Sequence, residues 1–294
     1  MRTISARNQY RHHAFALRDL LVLLACLCLL ALIQLPVLGH NKDRSRLTQC
    51  LSNYQQLGRA WLMYAEDNGG KLVWNPDGGD SGKVPTKPSW AGGWLDFSGG
   101  NRDNTNTALL TGYNPYGTNY GGLLGKYLIS TSVFRCPEDP VSVTSFGESY
   151  PRVRSTSMNA YMSGRRADGS LNSWAHLPFR IFQTVNDFAR LKPASAFVFI
   201  DEREDSINDS VFSMELAGFL DANDNVVPGQ SAQIIDRPAD WHDGGAGISF
   251  ADGHAEFWRW TDPRVAPVRT GLLPGNTTIG YPDMPRLSKA ASSH

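Results

Sequence analysis

The chain has 294 residues, with 28 basic and 28 acidic side chains and 28 glycines. This length suits one large domain or two small ones, and the balanced charge gives no electrostatic footprint for nucleic acid. Abundant glycine with 11% aromatic residues suits a loop-rich β-containing domain better than a helical bundle.

Residues 1–14 carry Arg2, Arg7, Arg11, His12 and His13 and no acid. From Leu20 to Leu38 the chain then has no charge at all. At a rise of ~1.5 Å per residue this run just spans a ~30 Å hydrocarbon core. The positive-inside rule keeps the basic leader cytoplasmic and places the main domain outside. A cleaved secretory signal is the competing reading. The run exceeds the usual signal core of ~7–15 apolar residues, and "VLGHNK" lacks the small-x-small cleavage pattern. Cys26 and Cys28 lie in the apolar run as small hydrophobes. Cys50 and Cys136 fall in the part assigned to an oxidising compartment and are candidates for a disulfide, although nothing in the sequence shows that they meet.

Apolar positions continue at three- and four-residue steps through Leu47, Cys50/Leu51, Tyr54, Leu57/Gly58, Trp61 and Tyr64/Ala65. That spacing predicts an amphipathic helix, ended by Asn and paired Gly within Glu66–Lys71. Residues 72–135 are rich in Gly, Asn, Trp and Tyr and poor in periodicity. Within them "GGLLGKYL" reads as a short helix, and Trp90 and Trp94 could stack on sugar rings, with core packing or loop anchoring the better reading. "STSVFRCPED" reads as a strand or turn, "RVRSTSMNAYM" as a weak strand or turn, and from Ala196 onward the pattern is one of strands. "AFVFIDE" is a buried run ending in acids, "VFSMELAGF" alternates in part, and "GISFADGHAEFWRW" is a hairpin signal. A two-residue type I′ loop at Asp252-Gly253 would set Ala251 opposite His254 and Phe250 opposite Ala255. The proline-rich tail after Pro263 reads as loosely held wrapping.

The N-terminal segment "AFALRDLLVLLACLCLLALIQLPVL" resembles that of type IV prepilins and type II secretion pseudopilins. The matching residues are Ala14, Phe15, Asp19 and Pro36. The resemblance implies cleavage after Ala14 by a prepilin peptidase, methylation of Phe15, and pairing of Asp19 with a neighbouring subunit's amino terminus. Ala14 stands for the usual Gly, Asp19 for Glu, and Arg18 where an apolar residue is expected. A second resemblance is to a large bacterial group that pairs such an N-terminus with a His-x9-Asp-Gly signature, here His242, Asp252, Gly253 and the following His254. "CLSNYQQLGRAWLMYAEDNGG", "WAGGWLDF", "FRCPED", "FVFIDEREDSIND" and "FADGHAEFWRW" also match it.

Together these imply an α+β fold. A long N-terminal helix, transmembrane then amphipathic, would pack on a C-terminal antiparallel β-sheet, pilin-like, with loop-rich insertions. The expected divisions are a leader at 1–14, a transmembrane helix at 15–39, its amphipathic extension at 40–68, an extracytoplasmic domain at 69–262 and a tail at 263–294. The expected location is a bacterial inner membrane, crossed once, with the N-terminus cytoplasmic. The expected partners are the prepilin peptidase and other pilin-like subunits or a secretion apparatus. The leading functional expectation is a pseudopilin-like structural subunit of a type II secretion or pilus-like assembly. The alternative is a singly anchored envelope module that binds an ion, glycan or peptide and does not polymerise.

Two readings of the signature stay open. In the first, Asp252-Gly253 is turn chemistry and His242 braces the hairpin. In the second, His242 and Asp252 or His254 join acids of "DEREDSIND" (Asp201, Glu202, Asp205, Asp209) around a metal. Pseudopilins often hold a structural Ca²⁺, which by analogy favours Ca²⁺ at the acidic loop over a transition metal. The bland reading of that loop is a solvated charged turn. "DANDN" (Asp221–Asn225) lacks the Gly and distal Glu of a calcium loop and reads as an ordinary turn. No nucleophile elbow, zinc-protease helix motif or phosphate loop is present, so an enzyme is not expected.

Overall fold

The computed structural model describes residues 17–77, 89–112, 121–145, 147–164, 170–172, 175, 178–216, 220–227, 232–262, 265, 277–279 and 283–294. In the first helix, the side chains of Asp19 and of residues 28–42 lie outside those described, as do Ala14 and Phe15 entirely. The chain divides into two compact units, Met1–Ser45 and Arg46–His294.

Helix α1 runs Leu17–Asp67. In the first unit its described apolar side chains, Leu17, Leu20–Leu24 and Leu27, are all solvent-exposed. Among the described residues no helix is long and apolar enough to cross a membrane. Much of the 15–39 segment expected to do so falls outside the described side chains.

In the second unit α1 buries Cys50, Tyr54, Leu57, Trp61, Tyr64 and Ala65, the stripe that the spacing predicts. Fully burying side chains of this size stabilises by roughly 1.5–3 kcal/mol each, so the seam is a principal tie between helix and sheet. The helix stops where Gly69 and Gly70 take positive φ (64° and 82°), and Gly70 N donates to Ala65 O at 2.7 Å.

The central sheet has five strands in the order β5-β3-β4-β7-β8. Their ranges are β3 Thr156–Asn159, β4 Phe197–Asp201, β5 Val211–Phe212, β7 Gly245–Phe250 and β8 Ala255–Arg259. All neighbours are antiparallel except β3 and β5, so the sheet is mixed rather than wholly antiparallel. Two small ribbons accompany it, β1 (Ser142–Ser145) with β2 (Glu148–Pro151) and β6 (Ala232–Ile234) with β9 (Thr277–Ile279). The fold is α+β.

Of three local expectations, two hold and one is corrected. "GGLLGKYL" holds the short helix expected, as a single 3-10 turn at Gly125–Tyr127. Trp90 is fully buried against Phe199 and Phe134, so no sugar can stack on it. Helix α2 is a single turn, Ala108–Thr111, and the described end of the tail is not loose wrapping but forms α3 (Asp283–Ala291), which buries Met284, Leu287 and Ala291. Asp283 Oδ2 accepts from Thr261 N and Asp262 N, and Asn159 Nδ2 donates to Ala291 O.

Candidate metal centre

The signature hairpin differs from the expected one by a single residue. Gly253 N donates to Phe250 O at 2.9 Å and Phe250 N to His254 O at 3.0 Å. Gly253 alone among these residues has positive φ (87°), and Ser249 pairs with Ala255. This is a three-residue loop with a left-handed glycine at its last position, not a two-residue type I′ loop. Packing supplies the reason. A Cβ at Gly253 would lie 3.2 Å from Leu62 Cδ1, and one at Gly58 would lie 3.2 Å from Gly253 Cα, so the loop is folded tightly onto α1.

The two-residue turn lies instead at the neighbouring Asp-Gly pair. Asp243 and Gly244 both have positive φ (52° and 77°), and His242 and Gly245 exchange both backbone hydrogen bonds. That turn fixes His242 at the entry to β7 with its side chain buried.

His242 therefore never meets Asp252. Asp252 sits at the exposed hairpin tip, where it accepts from His254 N at 3.1 Å and contacts His254 Nδ1 at 2.5 Å. Inside the domain, His242 Nε2 lies 3.0 Å from Cys136 Sγ, and Cys50 Sγ donates to Asp201 Oδ2 at 3.1 Å. Ligand atoms of Cys50, Cys136, Asp201 and His242 all lie within 4.8 Å of one another, and all four residues are buried. Among the described residues this is the one group of three or more His, Cys, Asp or Glu side chains that converges. Cys50 and Cys136 are free thiols.

Four separate parts of the chain deliver these groups. Cys50 comes from the buried stripe of α1, and Asp201 from the end of β4. Cys136 follows a 3-10 turn, Thr131–Phe134. Asn53, one helical turn from Cys50, donates to Arg135 O at 3.2 Å, and Cys136 N donates to Ser155 Oγ at 2.8 Å. Gly247 matters because it is bare: a Cβ there would lie 3.1 Å from Cys50 Sγ and 2.9 Å from the Tyr54 ring. Its N–H donates to Asp201 Oδ2 at 3.3 Å.

Burial governs the electrostatics. It pushes Asp201 up to about 6, raises the Cys136 thiol and lowers His242, which therefore favours the neutral imidazole. Cys50 is held well above the ordinary thiol value, first by its hydrogen bond with Cys136 and then by burial. A groove of about 650 Å³ has Cys136 in its wall together with Gln49, Asn53, Ser132 and Arg152.

The other acids of the 201–209 loop do not join this group. Asp205 forms a bidentate pair with Arg203, Glu202 Oε1 accepts from Ser206 Oγ, and Asp209 Oδ1 accepts from Val211 N. The loop is buried rather than solvated. The expected calcium site at these acids is not assembled, because each carboxylate is turned to a different local donor. "DANDN" is the ordinary turn expected, with Asp221 Oδ1 accepting from Asn223 N and Asn225 N.

Sequence reading named Asp201 and His242 as candidate ligands but assigned the two thiols only to a disulfide. The available signal was two cysteines outside the apolar run in a chain that also carries an isolated His beside an Asp-Gly turn. No protein-family model, no curated protein and no solved structure matches this chain.

Proposed function

We propose that the chain is a membrane-anchored, pilin-like structural subunit of a bacterial envelope assembly, with its Arg46–His294 unit as the extracytoplasmic domain. The observation that carries this reading is the exposure of Leu17, Leu20–Leu24 and Leu27 on α1. A contiguous apolar surface of this kind needs lipid or other apolar helices to cover it. The uncharged run Leu20–Leu38 and the basic leader agree with insertion in the positive-inside sense. The residues around Ala14, Phe15 and Asp19 supply the prepilin-like context for processing and helix-to-helix assembly.

Asp19 is the test. An unpaired carboxylate within the membrane is costly, so it should pair with a neighbouring subunit's amino terminus. Asp19→Ala should leave the protein in the membrane fraction but abolish subunit-to-subunit crosslinking through α1. Unchanged crosslinking would sink the assembly reading and leave a singly anchored ion-binding module, which the Cys-Cys-Asp-His cluster favours as the second reading.

A further inference from the structure

We propose that Cys50, Cys136, Asp201 and His242 bind one divalent cation of the zinc class, which staples α1 to the sheet. Two sulfurs, an imidazole nitrogen and one carboxylate oxygen form a donor set suited to Zn²⁺. Ca²⁺ is a poor match, since it takes six to eight oxygen ligands and this cluster offers a single carboxylate. A tetrahedral Zn²⁺, with bonds of ~2.0–2.3 Å, sets its ligand atoms ~3.3–3.8 Å apart. The four groups here span 3.0 Å (Cys136–His242) to at most 4.8 Å, so an adjustment of about an ångström or less closes the site.

The surroundings are those of a site that holds anionic ligands. Glu138 N donates to Cys136 Sγ at 3.4 Å, Gly247 N to Asp201 Oδ2 at 3.3 Å and Ser155 Oγ to Asp201 Oδ1 at 3.4 Å. Such donors orient ligands and spread their charge. Zn²⁺ binding releases the two thiol protons to solvent, and the cation then neutralises two of the three negative charges on the two thiolates and the carboxylate. Four protein ligands and near-complete burial mark a closed, structural site rather than one with an open catalytic position. The ligands are distant in sequence and come from α1, the Cys136 loop, β4 and the turn before β7. The ion therefore adds a direct tie to segments already joined by packing and by hydrogen bonds such as Asn53 Nδ2 to Arg135 O and Gly247 N to Asp201 Oδ2. A disulfide is the competing use of the thiols, which touch each other, yet Cys50 also contacts Asp201 and Cys136 also contacts His242, as a shared ion requires. This proposal stands on the Arg46–His294 unit and is independent of whether the chain polymerises.

Full-length protein, purified in mild detergent, should carry about one Zn²⁺ per chain by elemental analysis. Exchange with Co²⁺ should give an intense thiolate-to-cobalt charge-transfer band and the visible spectrum of a tetrahedral ion. His242→Ala should lose the metal, His242→Cys should retain it, and Asp252→Asn at the hairpin tip should leave it unchanged. Any of three results would overturn the proposal. One is metal-free protein whose intact mass is two hydrogens short, showing a Cys50–Cys136 disulfide. The second is a metal-free chain with both thiols free that takes up no Co²⁺. The third is metal bound equally well after His242→Ala. The Co²⁺ spectrum needs only the wild-type chain, so a variant that fails to fold does not remove the test.

Discussion

Gly247→Ala adds a single methyl group to β7 at the point where α1 comes closest to the sheet. The new Cβ would lie 2.9 Å from Tyr54 Cδ2 and Cε2 and 3.1 Å from Cys50 Sγ. Non-bonded carbons rest ~3.5–4.0 Å apart, so the overlap is at least about half an ångström. Tyr54 has little room to yield: it is buried, and its hydroxyl is held 3.3 Å from Thr156 Oγ1. Moving α1 instead would draw Cys50 away from Asp201. Overpacking of this kind costs about 1–3 kcal/mol. The stiffer unfolded chain of the alanine variant offsets at most about 1 kcal/mol of that cost, because the glycine carries extra unfolded-state entropy. For a domain of this size ~1 kcal/mol moves the melting midpoint by ~2–4 °C, so thermal unfolding in detergent should show a drop of several degrees. A double-mutant cycle sharpens the test. Tyr54→Ala opens space for the methyl, so Gly247→Ala should cost at least about 1 kcal/mol less in that background. Full stability of Gly247→Ala, or additivity in the cycle, would refute the close approach of α1 to β7.

Other expectations follow from the same geometry. Asp252→Ala removes only exposed turn contacts and should cost about 1 kcal/mol or less, measured by thermal unfolding. Gly253→Ala combines a positive φ with a contact to Leu62 and should cost about 1–3 kcal/mol. Burial, reinforced by Glu202 and Asp209, pushes Asp236 well above its ordinary 3.8, and burial likewise pushes Glu202 up to about 8 despite the nearby Arg154. Between about pH 4 and pH 8 the unfolded chain therefore holds fewer protons than the folded one, and these groups make stability fall as pH rises. Their contribution is complete below the ordinary carboxyl values and is lost as pH climbs through the folded ones. Asp236→Asn retains an oxygen for Ser213 N and should flatten that fall, read as the difference in melting midpoint from wild type across the range. An identical pH slope in the two proteins would contradict the burial argument.

The parts of this fold that repeat locally were legible. The stripe from Cys50 to Ala65 marked the packed half of α1, and the unbroken apolar run of "FVFID" marked a strand buried on both faces. Local signals failed where two identical dipeptides competed. Asp243-Gly244 and Asp252-Gly253 are both hairpin signals, and packing of Gly253 on Leu62 and Gly58 decides which becomes the wider loop. Helix α3 was hidden because Met284, Leu287 and Ala291 cover little more than two turns and follow a proline-rich stretch. Half of the metal cluster was readable as residue types, in Asp201 and His242. Its assembly was not, since the four ligands lie far apart in the chain and only the register of β4 with β7 and the docking of α1 bring them together.

The proposal that the chain is anchored and processed like a prepilin is tested most directly by the mass of the N-terminal peptide of protein taken from its native membrane. The expected peptide begins at methylated Phe15, with residues 1–14 removed. A peptide beginning at an intact Met1 would contradict it and leave α1 as an anchor only.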